Sequence, residues 1–155
     1  MPLSANNPDR TSWLHVDKNS DFPIQNIPFG VFLTRDDIIT TGPRTGHAAI
    51  DFVALHQLGY FKDIPLTDDI FLQDTLNDFI ADGRKTLRLV RNRIAEIFDS
   101  NNDVLKANKK NKETVLFRLD EIEMQLPVQI GDYTDFYSSI EHATNVGTMF
   151  RDPNN

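Results

Sequence analysis

The sequence predicts an α+β fold, in which short strands gather into a small twisted sheet or barrel, helices follow, and one more strand and helix close the chain. Three observations carry this reading. Residues 13–60 hold brief apolar stretches interrupted by Pro and Gly, the punctuation of short strands joined by tight turns. Residues 72–98 place apolar side chains at helical spacing,. Residues 122–130 alternate apolar and polar side chains, the period of a strand with one buried face.

Met1 to Ser12 is rich in Asn, Pro and Ser and is expected to be frayed,. In the next stretch, Val31-Phe32-Leu33 follows the turn Pro28-Phe29-Gly30, and Ile38-Ile39 and Ala48 to Leu55 supply further strand candidates. A first helix is expected from Asp68 and Asp69, which suit the positive end of a helix dipole, with Thr67 as cap,. Leu72, Leu76, Phe79 and Ile80 would form its apolar face, and Gly83 would break it,. A second helix has Leu87, Val90, Ile94, Ile97 and Phe98 on one side and Arg84, Lys85, Arg88 and Arg93 on the other. That basic side reads as a solvated surface rather than an anion site. Asp99 to Glu113 is polar and lysine-rich and reads as a loop or linker,. Pro127 has no N–H for a ladder, so the strand over 122–130 is bent or lies at an edge,. From Asp135 a helical pattern resumes, with Phe136, Ile140, Ala143, Gly147 and Phe150 as its stripe.

The totals exclude several classes of function. The chain has 155 residues, 39% of them hydrophobic and 25% charged, as in ordinary globular proteins. A net charge of −7 argues against non-specific nucleic-acid binding,. No apolar run reaches the length of a membrane span, and the polar start lacks a signal-peptide core. With no cysteine, disulfides, thiol catalysis and thiolate metal sites are excluded; a reducing cytoplasm fits, and so does any other compartment. No phosphate loop, serine elbow or HExxH is present.

The residues with most chemical content lie in Gly131 to Arg151, GDYTDFYSSIEHATNVGTMFR. If Asp135 opens a helix, His142 stands about 20° from it around the axis, on one face with Ser139 and Val146,. A carboxylate there suits a hard cation, and an imidazole suits a general base near neutral pH. Tyr137 and Arg151 suit an anionic, oxygen-rich substrate, Arg by bidentate pairing. The same residues also read blandly, as a helix cap, a surface histidine, a packing tyrosine and a solvated arginine. Composition and spacing leave both readings open. His15, His47 and His56 are scattered, without metal-ligand spacing, and read as structural.

The stretch MQLPVQIGDYTDFYSSIEHATNVGTMFR, Met124 to Arg151, resembles the segment that opens the catalytic domain of fumarylacetoacetases. SDFPIQNIPFGVF, Ser20 to Phe32, and TLNDFIADG, Thr75 to Gly83, resemble that family's earlier segments. The likeness runs from about Trp13 onward and is looser over residues 34–60 and 100–118. It implies an SH3-like small β-barrel with accompanying helices, followed by the start of a mixed β-roll catalytic domain. The implied division is a disordered stretch at 1–12, an amino-terminal domain at 13–118 and the opening of the catalytic domain at 119–155.

The resemblance also implies an activity, the metal-assisted hydrolysis of 4-fumarylacetoacetate to fumarate and acetoacetate, which ends tyrosine and phenylalanine breakdown. By position in the motif, Asp135 matches a ligand of Ca²⁺ or Mg²⁺, His142 the base that activates water, and Tyr137 and Arg151 substrate-binding residues. A homodimer is implied for the complete enzyme. The family's other metal-binding carboxylates and the acid that orients the histidine come from later in its chains, so this sequence reads as a fragment that is inactive alone and binds no metal. Two other readings stand beside it: a stand-alone regulatory or interaction domain, and another member of the wider superfamily, such as an acylpyruvase or decarboxylase. The long amino-terminal segment speaks against the latter.

Overall fold

In the computed structural model, which describes residues 4–152, five short strands form one curled antiparallel sheet, with helices against one side. The strands are β1 (Phe29–Thr34), β2 (Ile39–Thr45), β3 (Ala48–Ile50), β4 (Leu116–Arg118) and β5 (Ile122–Gln125), in the order β4-β3-β2-β1-β5. Mixed α and β content and the curled sheet agree with the expected α+β class. Val31 lies opposite Thr41 across β1 and β2, and Phe32 lies opposite Met124 across β1 and β5. Val31 is buried in the core, and the Thr41 hydroxyl donates to the Phe71 carbonyl at 3.5 Å, so this side of the sheet faces the main core.

Ala48 to Leu55, read as one strand, divides into β3 and helix α1 (Phe52–Gln57). Asp51 causes the switch. Its Oδ1 accepts from the Ala54 amide at 3.0 Å and from the Thr40 hydroxyl at 2.8 Å, so one carboxylate caps α1 and ties it to β2. Burial pushes the Asp51 carboxyl above the ordinary carboxylate range, opposed chiefly by the Ala54 amide. Phe52, the first residue of α1, then sits in an aromatic cluster, with ring centroids 4.7 Å from Phe71, 5.2 Å from Phe29, 5.7 Å from Phe61 and 6.0 Å from Phe79. Burying each such ring contributes about 1.5–3 kcal/mol.

The expected helix beginning at Asp68 is not formed. Turns occupy residues 68–76, and only the short α2 (Asn77–Ala81) is helical. Asp68, Asp69, Asp74 and Thr75 are weak helix formers. The Leu76 amide donates to the Pro127 carbonyl at 2.8 Å rather than within a helix. Phe71, Leu76 and Phe79 are buried while Leu72 and Ile80 are exposed, so the burial follows the turns and not a helical face. The helix does break there, since Asp82 separates α2 from α3 (Gly83–Ile97) and Gly83 has a φ of +87°. α3 buries Val90, Ile94, Ala95 and Ile97, as its periodicity predicts.

Two further expectations are corrected in part. Residues 99–108 form no helix or strand, as a loop would, but the segment is packed on the fold rather than a linker: Leu105 is fully buried, Asn108 caps α4 (Lys109–Val115) through the Asn111 amide at 3.0 Å, and α4 runs directly into β4. Over its described part, the segment expected to fray lies against α3. Ala5 is fully buried with its amide on Asn92 Oδ1 at 3.2 Å, Arg10 pairs with Asp99 at 3.1 Å, and Ser12 bridges Asp99. Residues 1–3 lie outside the described residues.

The boundary expected between residues 118 and 119 falls inside the sheet, because β5 pairs along β1 from Thr34–Ile122 to Val31–Gln125. β5 is an edge strand, and it stops two residues before Pro127, as a residue without an N–H requires,.

Candidate active site

Val128 still packs against the core, and beyond it the chain leaves the core. Leu126, Ile130, Tyr133 and Phe136 are exposed, and residues 131–137 have no regular structure. Helix α5 (Ile140–Phe150) begins only after Ser139, whose Oγ accepts from the His142 amide at 3.2 Å. Tyr133-Thr134 and Phe136-Tyr137 are aromatic and β-branched residues that restrict helix formation, and Ser139 supplies the cap. The expectation that Asp135 opens this helix is therefore wrong, and with it the argument that Asp135 and His142 share a helical face.

Of the four candidate residues, the fold brings two together. The Tyr137 ring stands edge-on to the His142 ring at 5.1 Å and 76°. Asp135 precedes Tyr137 in the irregular segment and is exposed. Arg151 is the residue after α5, with its amide on the Gly147 carbonyl at 2.9 Å. At the rise of an α-helix it lies about 13 Å along the axis from His142. The apolar stripe of α5 has no covering layer among the described residues: Ile140 is 77% exposed and Phe150 83%.

A hard divalent cation takes six or more oxygens. Among the described residues there is no group of three His, Cys, Asp or Glu side chains that could hold a metal ion. The residues present do not fit the Ca²⁺ or Mg²⁺ that the family resemblance implies.

One cluster of titratable groups escaped the sequence reading. His15 Nε2 lies 3.0 Å from Asp17 Oδ1, and His47 Nε2 lies 2.6 Å from Asp17 Oδ2. The hydrogen bond from His47, then that from His15, holds the Asp17 carboxyl below the usual range. His47 is at the β2–β3 turn beside Gly46, whose φ is +55° and where a Cβ would come within 2.3 Å of the His15 carbonyl oxygen. The cluster clasps the strap 15–22 onto the turn, and the Gly46 amide donates to the Phe22 carbonyl at 2.8 Å. Nothing in the sequence signals the closure, since His47 is 30 residues from Asp17.

The family description that matches the chain is Fumarylacetoacetase N-terminal, over residues 25–127, a span that contains all five strands. The chain belongs to the fumarylacetoacetase N-terminal family. It is 41% identical over 145 residues to a fumarylacetoacetase of Caenorhabditis elegans, 39% over 147 residues to one of Arabidopsis thaliana, and 37% over 148 residues to one of Homo sapiens. Each alignment covers 93% of this chain and 35% of the relative, so the chain spans about a third of the length of the curated relatives it matches. The fumarylacetoacetase likeness thus extends beyond the span of the N-terminal family description. No helix among the described residues is long and apolar enough to cross a membrane.

Proposed function

We propose that this chain is the amino-terminal portion of a fumarylacetoacetase, which hydrolyses the carbon–carbon bond of 4-fumarylacetoacetate to give fumarate and acetoacetate, in the cytoplasm and as a homodimer. The carrying observation is the likeness to fumarylacetoacetases over 93% of the chain. We read the sheet as an SH3-like barrel. Its antiparallel order β4-β3-β2-β1-β5, with a single 3-10 turn at Leu119–Glu121 between β4 and β5, supports that reading. Residues 119–155, exposed throughout 129–142, are the opening of the catalytic domain.

In this proposal His142 is the general base. It takes a proton from water as the water oxygen bonds to the substrate carbonyl carbon and the C=O π pair moves onto oxygen. When that pair returns, the carbon–carbon bond breaks, its electrons leave on the acetoacetate carbon, and the imidazolium returns the proton to that carbon. Tyr137, edge-on to His142, borders the place where substrate must sit. Arg151 pairs with a substrate carboxylate, which requires substrate or another segment to bridge the length of α5. Asp135 is one ligand of the metal in the complete enzyme, and the remaining ligands belong to chain beyond these residues. An imidazole without a fixed orientation loses most of its value as a base, so the 155-residue chain alone is inactive,.

The test measures loss of fumarylacetoacetate with this chain and with one extended to the length of the relatives. Turnover is expected only in the extended chain. There His142→Ala abolishes it with metal binding retained, Asp135→Ala weakens both, and Arg151→Ala chiefly raises KM. Near-normal turnover in extended His142→Ala would remove the histidine from its role. An extended chain with no hydrolase activity would favour the stand-alone interaction domain.

A further inference from the structure

The curled sheet carries a pocket of about 340 Å³, whose lining includes Gly30, Gly42, Phe22, Phe32, Arg44 and Met124. None of Asp135, Tyr137, His142 or Arg151 lines it. Gly30 and Gly42 face each other across β1 and β2. Gly42 is required by the fold, because a Cβ there would sit 1.6 Å from the Ile50 carbonyl oxygen. Gly30 is not so constrained. It has no positive φ, and a Cβ there would meet only the movable Met124 methyl at 3.1 Å and the Gly42 carbonyl at 4.0 Å. Glycine inside a strand costs about 0.5–1 kcal/mol relative to Ala, and it marks places where another molecule approaches the backbone closely. At Gly30 the pocket is therefore bounded by that flexible methyl, whose displacement exposes the strand backbone.

The walls are apolar and aromatic, and the pocket carries one cation. The Arg44 guanidinium lies 3.7 Å from the Phe22 ring centroid, and its Nε donates to the Gly46 carbonyl at 3.0 Å. Its two Nη groups form no hydrogen bond or ion pair among the described residues. Both floor strands are paired on each side, β1 by β2 and β5, β2 by β1 and β3, so the floor offers no free edge for an extended peptide. The volume is near the lower limit of small-molecule sites, roughly 300–1,000 Å³.

We propose that this pocket binds a small aromatic monocarboxylate, with its ring against Gly30 and its carboxylate on the Nη groups of Arg44. The proposal is independent of the hydrolase reading. The test follows the amide resonances of the isotopically labelled chain during titration with 3-phenylpropionate, 3-phenylpropanamide and acetate. Saturable shifts are expected at Gly30, Gly42 and Met124 with the acid, about tenfold weaker binding of the amide because a charge-assisted pair is lost, and none with acetate. Arg44→Gln should bring the acid down to the level of the amide. Gly30→Val should abolish binding of both with its unfolding midpoint retained; if that variant does not fold, Gly30→Ala should weaken both. Equal binding of acid and amide, shifts shared with acetate, or undiminished binding in the Gly30 variant that folds would each overturn the proposal.

Discussion

Asp51 offers the sharpest test of how the sheet is tied to the helices. Its Oδ1 accepts both the Ala54 amide and the Thr40 hydroxyl. Asp51→Ala removes both acceptors. The lost cap costs about 1 kcal/mol. The Thr40 side chain, in a residue 2% exposed, is left without its acceptor at a cost of about 1–3 kcal/mol. A loss of about 2–4 kcal/mol follows, reduced at neutral pH by relief of a desolvated charge. Asp51→Asn keeps an Oδ1 for both donors and discards the charge, so at neutral pH it should stay within about 1 kcal/mol of the parent.

The two variants also separate by pH. Burial raises the folded carboxyl above its ordinary value near 3.8. Protonation therefore favours folding: the contribution is fully present below the unfolded value and is lost as pH rises through the folded one. Stability of the parent relative to Asp51→Asn should decline with rising pH across that window and level off above it. Urea unfolding followed through Trp13, the chain's one tryptophan, stacked on Phe98 at 5.2 Å, measures both effects. If Asp51→Asn were as damaging as Asp51→Ala at neutral pH, the negative charge itself would be required and the capping argument would fail.

Three other expectations concern the clasp and the exposed segment. Gly46→Ala forces a side chain into a left-handed conformation and against the His15 carbonyl, so it should cost about 1–3 kcal/mol in the same urea assay; an unchanged midpoint would show that the strap does not press on the turn. A carbon-detected titration of Asp17 should find its carboxyl below 3.8, moved back further by His47→Ala than by His15→Ala. Because its folded value is depressed, Asp17 contributes stability above the unfolded value that is lost as pH falls through the folded one, and a midpoint unmoved by either variant would contradict the clasp. Hydrogen exchange should be slow at Val90 and Ile94, which are fully buried in α3, and fast throughout α5, which buries no residue,. Equal protection of α3 and α5 in a proven monomer would mean that α5 has a covering surface within the chain.

Much of the architecture was written in local chemistry. The buried side of α3 follows from the spacing of Val90, Ile94 and Ile97, and the edge position of β5 from the missing N–H of Pro127. The residue types of the candidate site, and the likeness that gives them roles, also lie in the sequence. The failures have a common form. Leu72, Leu76, Phe79 and Ile80 have helical spacing, yet residues 68–76 form turns, because spacing cannot report that Leu76 will bond to Pro127. The polar segments 4–12 and 99–113 resemble a tail and a linker, but each buries one apolar side chain, Ala5 and Leu105, too little to register in composition.

By itself the sequence determined the α+β class, the excluded chemistries and the candidate residues Asp135, Tyr137, His142 and Arg151. Only the tertiary structure decided which of them meet. A helix start depends on where a cap falls, and Ser139 rather than Asp135 caps α5, so Tyr137 reaches His142 while Asp135 stays outside the helix. The tertiary structure also decided that β5 returns to β1 and that Asp17 finds His47. Both are pairings between residues far apart in the chain, set by the path of everything between them, and no local pattern encodes that path.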